Sequence, residues 1–152
     1  MITKEQVEYL VQEKIKGTEI FLVEVKIHPG NQINVQIDKP QGIIIEECVE
    51  VSRHILANID REIEDYNLEV SSPGLSAPFK VSEQYLKNTG KNVEVLMNDG
   101  SKYNGKLLNH TEQETEIEIQ VKENNKSKKL INEIIALNNA DIKTVKVIIS
   151  FK

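Results

Sequence analysis

The chain of 152 residues has little cysteine, proline and aromatic character: it contains one cysteine, four prolines and no tryptophan. A single thiol, Cys48, excludes an intramolecular disulfide and a zinc site built from cysteines, which fits a reducing compartment. No apolar run approaches the ~18 residues of a membrane-spanning helix, and the first residues lack a basic-then-apolar signal pattern. We therefore expect a cytoplasmic protein that does not bind a membrane.

The sequence also lacks the patterns of common catalytic, metal and cofactor sites. His28, His54 and His110 have no spacing that would place two of them on one metal ion. No glycine-rich loop precedes a lysine and a hydroxyl residue, and Ser71-Ser72 lacks the glycines of a nucleophile elbow. Cys48 lies on an apolar helical stripe, which suits a core residue better than a nucleophile. We expect no enzyme activity, no cofactor and no small-molecule substrate.

Charge is distributed unevenly along the chain. Residues 1–72 hold seven Lys and Arg against fourteen Asp and Glu, whereas residues 73–152 hold twelve against ten. An acidic first half favours a basic partner, and the second half is neutral enough to approach phosphate. The same acidic excess would also suit a surface that only keeps the protein in solution, so composition leaves both interpretations open.

The first half alternates between helical and strand periodicity. Thr3 and Gln6 stand at capping-box spacing before a helix that Gly17 should end in a left-handed conformation. Two strands with a turn at 28–31 follow, then a helix, then a strand over 66–71. The second helix has an apolar stripe of seven residues: Ile45, Cys48, Val49, Ser52, Ile55, Leu56 and Ile59. The order helix, strand, strand, helix, strand predicts an α+β layer domain.

The second half is dominated by closely spaced strands. A short helix capped by Ser82 and ended by Gly90 comes first. Asp99-Gly100 then predicts a hairpin turn, and Gly105 continues the alternation of its strand, where we expect a bend rather than a turn. Five short strands in quick succession predict a small closed barrel.

A strand that stops abruptly joins the two halves. Alternation over 68–71 ends at Pro73-Gly74, the pair that a type II turn needs at its central positions, with Gly74 at φ > 0. Pro78 stiffens the segment further. The sequence therefore predicts an N-terminal domain over 1–72, a rigid joint over 73–80 and a barrel domain over 81–152, although a simple tether would have a similar composition.

The stretch Leu68–Leu75 reads LEVSSPGL and resembles the signature of the bacterial ribosome maturation factor family RimP. That signature usually continues with an acidic and a basic residue, whereas this chain has Ser76-Ala77 there before Pro78 and Phe79 restore the pattern. Cys48 and Ser52-Arg53 are similar to residues of the corresponding RimP helix. The charge contacts that relatives make through the missing pair are not implied for this chain.

The first hairpin of the second half, with its valines, Asp99-Gly100 and the Tyr103, Gly105 and Leu107 alternation, is similar to the first motif of Sm-like (SH3-like) domains. RimP proteins carry such a domain second. The late basic-glycine motif with which Sm proteins grip RNA is absent, so their ring-forming mode is not implied.

The resemblance implies a monomeric factor that binds the free small (30S) ribosomal subunit and assists its assembly without catalysis. Its implied partners are ribosomal RNA and a basic ribosomal protein near the decoding centre. The candidate ribosome-binding or joint residues are Ser71, Ser72, Pro73, Gly74 and Leu75. The alternatives are a general Sm-like RNA-binding module and an enzyme acting on RNA.

Four lysines crowd one predicted hairpin loop of the barrel: Lys122, Lys126, Lys128 and Lys129. They could neutralise phosphate groups and release counterions, although no aromatic residue stands among them to stack on bases. They would equally suit a solvated loop, and the sequence does not decide between the two.

Overall fold

The structure of the chain is a computed structural model that describes residues 1–74, 77–124 and 128–148. It divides into two compact units, Met1–Pro73 and Gly74–Lys152. Among the described residues, no helix is both long and apolar enough to cross a membrane. Within the described ranges, three helices of at least one full turn and two sheets confirm the α+β class.

The first unit has the predicted order of elements. They are α1 Lys4–Ile15, β1 Phe21–His28, β2 Gln32–Asp38, α2 Ile45–Asn58 and β3 Asn67–Ser71. The sheet has the order β1-β2-β3, in which β1 and β2 form an antiparallel hairpin. The third strand runs parallel to β2, with α2 as the crossover between them. The core lies between this sheet and the two helices.

The ends of α1 are set by local chemistry that the sequence predicted. The Thr3 hydroxyl accepts a hydrogen bond from the Gln6 amide at 3.1 Å, which satisfies one of the unpaired donors of the first turn. Gly17 follows the helix with φ +81°, a conformation that costs glycine little. Both predictions are confirmed.

Only part of the apolar stripe predicted for α2 is buried. The row Val51, Ile55 and Ile59 packs into the core, whereas Ile45 is 79% exposed. Val49 and Leu56 are also exposed. The row of residues four apart that includes Val51 covers the sheet, so apolar positions on the next row remain outside. Ile45, Val49 and Leu56 belong to the predicted apolar stripe but do not lie in the core.

In its described residues, the second unit has one short helix and five strands. They are α3 Ser82–Lys87, β4 Asn92–Met97, β5 Lys102–His110, β6 Glu114–Lys122, β7 Leu130–Asn138 and β8 Ile142–Val147, with a 3-10 turn at Asn139–Asp141. All strand pairs are antiparallel, in the order β7-β6-β5-β4-β8. Its core is apolar: Val93, Val95, Leu107, Ile117, Leu137 and Val145.

One local feature of this unit differs from expectation, and two agree with it. Ser82 is the first residue of α3 rather than its cap, because the Gln84 side chain accepts hydrogen bonds from the amides of Lys80 and Val81. Gly105 lies inside β5, paired with Val93, so no turn interrupts the strand. The Asp99-Gly100 hairpin turn is confirmed, with Gly100 at φ +92°.

Candidate functional site

A shallow groove in the first unit contains two of the predicted site residues. One wall is the start of α2, with Ile44, Ile45 and Val49, and the other is the end of β3, with Ser71 and Ser72. We call it the α2–β3 groove; its volume is about 390 Å³. The exposed apolar row of α2 faces solvent here, which makes the groove a surface that can bury apolar side chains of a partner.

The start of α2 is held firmly although its isoleucines are exposed. The Glu47 carboxylate accepts a hydrogen bond from the Ile44 amide at 3.0 Å and one from Lys39 Nζ at 2.9 Å. The Lys39 bond, and then the Ile44 amide, lower the pKa of Glu47 below its ordinary value. The hydrogen bonds of Glu47 to Lys39 and to the Ile44 amide therefore fix the backbone that carries the exposed isoleucines.

Charged side chains of α2 lie outside the lining of the groove. Glu46 and Glu50 are exposed and stand four residues apart on α2, which places them on one side of the helix, but neither lines the groove. Cys48 lines the groove half-buried, and burial, followed by the charge of Glu47, raises the pKa of its thiol. The thiol is thus protonated near neutral pH and is a poor nucleophile.

The predicted geometry at Pro73-Gly74 is wrong. Five glycines have a left-handed φ, but Gly74 is not one of them. It instead accepts a hydrogen bond, through its carbonyl, from the Ala77 amide at 3.0 Å. A Pro-Gly pair permits a type II turn without requiring one, since the glycine can also take ordinary φ values. Leu75, the last candidate of this segment, lies outside the described residues.

The predicted lysine cluster is described in part. Lys122 ends β6 opposite Leu130, and the Glu123 amide donates to the Lys129 carbonyl at 3.0 Å, so the structure brings Lys122 and Lys129 to one end of the hairpin. Lys128 precedes β7, and all three are exposed. Lys126 lies outside the described residues. A phosphate-binding role for these lysines stays a prediction.

A second pocket, which sequence reasoning missed, lies in the Gly74–Lys152 unit beside α3. Rings of Phe79, Tyr85 and His110 line it together with Lys80 and Lys143, and its volume is about 250 Å³. We call it the aromatic pocket. These residues are spread over more than sixty positions, so no local pattern connects them; the only signal was the presence of aromatic rings in a chain that has few.

Metal ligation has no candidate in the part of the chain that the structure describes, where no three His, Cys, Asp or Glu side chains are grouped to hold an ion. His54 Nε2 instead lies 2.8 Å from Glu13 Oε1 on the surface of the first unit. His110 Nδ1 lies 2.8 Å from Thr115 Oγ1, and Thr115 is fully buried. A buried hydroxyl cannot meet a substrate, so this pair acts within the fold.

Comparison with known proteins places the chain in a family. The RimP N-terminal domain model matches residues 8–76. The ribosome maturation factor RimP of Porphyromonas gingivalis (strain W83) is 42% identical over 146 residues, which cover 94% of this chain and 96% of that protein. RimP of Christiangramia forsetii is 33% identical over 97% of this chain and 99% of its own length. RimP of Cytophaga hutchinsonii is 35% identical over 98% and 95%. The resemblance carried by Leu68–Leu75 is thus confirmed, and the chain belongs to the ribosome maturation factor RimP family.

Proposed function

We propose that this protein is a cytoplasmic ribosome maturation factor that binds the free small (30S) ribosomal subunit as a monomer and assists its assembly without catalysis. The observation that carries the proposal is the likeness to named maturation factors along almost the whole chain, at 33% to 42% identity. Both units are covered by that likeness, so the proposal does not depend on one domain alone.

The α2–β3 groove is the surface that we assign to a protein partner on the subunit. Its apolar lip, formed by Ile44 and Ile45, offers area to bury, and residues 1–72 as a whole carry fourteen Asp and Glu against seven Lys and Arg. A basic ribosomal protein near the decoding centre matches this combination, since a basic segment would be steered by the acidic charge of this half and anchored by the apolar lip. Ser71 and Ser72 would contribute polar contacts from the strand end.

The second unit supplies the contact with ribosomal RNA in this proposal, through Lys122, Lys126, Lys128 and Lys129. We propose that its five antiparallel strands form an Sm-like barrel, in which β7 and β8 approach each other as the outer strands of the described order. Residues 1–72 and 81–152 would fold separately, with 73–80 as the joint between them. Binding by positioning, rather than chemistry, agrees with a protonated Cys48 thiol and a buried Thr115.

A sucrose-gradient experiment tests the function and the groove together. The tagged parent chain should migrate with free small subunits and not with whole ribosomes. Ile45→Asp should reduce that association at least tenfold, because it places charge on the groove lip. Ile63→Asp is the matched control, since Ile63 is 85% exposed in the same unit but outside the groove. An aspartate at the first residue of α2 also suits the helix end, so folding should be retained.

The outcomes separate the claims. A parent chain absent from the small-subunit fractions would overturn the proposed function. Equal binding by parent and Ile45→Asp would remove the groove from the contact while leaving the function in place. Native mass spectrometry of the free chain measures its oligomeric state. A ring of subunits would support the Sm-like RNA module instead of a monomeric factor.

A further inference from the structure

The aromatic pocket is built around two rings in parallel contact. The Tyr85 and His110 rings stack with centroids 3.6 Å apart and planes within 6° of each other. The Phe79 ring meets Tyr85 edge-on at 4.9 Å. The Phe79 amide donates to the Val145 carbonyl at 2.7 Å, which ties this ring to β8. Two of the seven Phe and Tyr rings of the chain, together with the His110 ring, are therefore held in fixed places at one surface pocket.

A hydrogen-bond chain fixes the orientation of His110. The Thr115 hydroxyl donates to Asn139 Oδ1 at 2.7 Å, so it accepts from His110 Nδ1 at 2.8 Å. Asn139 Nδ2 in turn donates to the Thr111 carbonyl at 2.7 Å. The proton of neutral His110 thus lies on Nδ1, and Nε2 is left as an acceptor. Burial lowers the pKa of His110, which favours this neutral form.

The charge of the pocket is positive. Lys80 and Lys143 are exposed and line it, and no carboxylate stands among the described residues of the lining. Neither lysine forms an ion pair with another residue in the described ranges. Two cations beside flat rings are the combination with which proteins bind single-stranded nucleic acid, because bases stack on rings and phosphates attract lysines.

The size of the pocket points to a small occupant. At about 250 Å³ it is below the ~300 to 1,000 Å³ of typical sites for drug-sized ligands. A single unstacked base needs only a narrow slot, and its sugar and phosphates can remain at the surface near the lysines. A peptide would gain little from two unpaired lysines unless it were acidic.

We propose that the aromatic pocket binds one base of single-stranded RNA, which continues the Tyr85–His110 stack while Lys80 and Lys143 hold the flanking phosphates. The inference rests on the proposed function, since ribosomal RNA is the partner that would supply the base. It differs from the lysine loop of Lys122 to Lys129 in using rings as well as charge.

Fluorescence anisotropy with a labelled, unstructured RNA octamer tests the proposal on the full chain. Lys80→Gln with Lys143→Gln should weaken binding about tenfold and reduce the slope of log affinity against log salt by about 1.4, at ~0.7 per phosphate contact. The control is Lys102→Gln with Lys106→Gln, two exposed lysines of the same unit that lie outside the pocket. Tyr85→Leu should weaken binding about tenfold, whereas Tyr85→Phe should not, because only leucine removes the ring.

Each result decides for or against the pocket. Specific losses in the Lys80 and Lys143 pair and in folded Tyr85→Leu would support it. Equal losses in both lysine pairs would show general attraction and overturn it, as would an RNA affinity that Tyr85→Leu leaves unchanged while circular dichroism shows native structure. A parent chain that travels with small subunits but does not bind the octamer would overturn this inference and leave the proposed function standing.

Discussion

Replacing Gly105 by alanine should destabilise the second unit strongly. A Cβ atom built at Gly105 would lie 2.5 Å from the Glu118 carbonyl oxygen and 3.0 Å from Ile119 Cγ2. The first of these atoms belongs to the backbone of β6, which pairs with β5 through Lys106 and Glu118. A backbone oxygen cannot rotate away as a side chain can, so the two strands must separate locally or shift.

The size of the effect follows from overpacking. An extra carbon forced into a packed site costs ~1 to 3 kcal/mol, and a backbone contact at this distance belongs at the upper end, at about 3 kcal/mol. For a domain of 60 to 100 residues, each kcal/mol shifts the melting temperature by ~4 to 8 °C. We therefore expect Gly105→Ala to lower the melting temperature of the second unit by about 12 °C or more.

The assay combines thermal circular dichroism with hydrogen exchange read by mass spectrometry. Protection should fall in peptides from β5 and β6 and stay unchanged in peptides from β1 and β2. Gly74→Ala is the control, because no atom of the described residues lies within 4 Å of its added Cβ and its φ is not left-handed; its change should stay within about 1 kcal/mol. If Gly105→Ala melted like the control, the close approach of β5 and β6 would not limit this position.

Two further predictions concern the joint and the aromatic pocket. Gly74→Val should leave the melting temperature and the small-subunit affinity close to those of the parent, because Gly74 is not in a left-handed conformation and no described atom lies near its added Cβ. A large loss of either would contradict this conformation of Gly74 and favour the type II turn. The lowered pKa of His110 means that the unfolded state binds a proton more readily, so stability should be fully present above the ordinary pKa of ~6.5 and fall as pH drops below it. Urea titrations across that range should show this fall, and His110→Gln should make it shallower, whereas an identical pH profile for both proteins would contradict the assignment to His110.

Local patterns predicted most of the secondary structure because the determinants were themselves local. The two ends of α1 are set locally, by the Thr3 side chain at the start and by the left-handed conformation of Gly17 at the end. The turn between β4 and β5 is set in the same way by Asp99-Gly100. The buried face of α2 required tertiary information. Ile45 and Ile55 both fit an apolar stripe in the sequence, and only packing against the sheet shows that one is buried and the other exposed.

For the candidate sites too, local patterns identified some residues, whereas others required the tertiary structure. Ser71 and Ser72 were found because they belong to a contiguous signature, and they do line a groove. The conformation of Gly74 could not be read from Pro73-Gly74, since glycine has several allowed conformations. The aromatic pocket could not be found at all, because contacts between Tyr85 and His110 depend on how β5 passes α3.

The parallel pairing of β2 with β3 was also beyond local reasoning, and Asn31 provides a way to test what fixes it. Asn31 has φ +55°, and its Nδ2 donates to Glu64 Oε2 at 3.0 Å and to the Asp65 carbonyl at 3.1 Å. Its own carbonyl accepts from the Asn67 amide at 3.0 Å, just before the first strand pair. The side chain therefore holds the start of β3 against the β1–β2 turn.

Substitutions at Asn31 should rank by what they remove. Asn31→Gly keeps the positive φ and loses only the side-chain bonds, so it should be the mildest change; Asn31→Ala adds strain at that φ. Asn31→Asp replaces the donor to Glu64 with a second negative charge and should be the most destabilising at neutral pH. The Asn31 bond is the first cause of the lowered pKa of Glu64. Asn31→Asp removes that cause and adds a like charge, so the pKa of Glu64 should rise in the variant, and the deficit relative to Asn31→Gly should shrink as the pH falls and the two carboxyl groups become protonated. Urea unfolding of the three variants at neutral and acid pH measures this order, and an Asn31→Asp protein as stable as Asn31→Gly at neutral pH would show that the contact with Glu64 does not hold β3 in place.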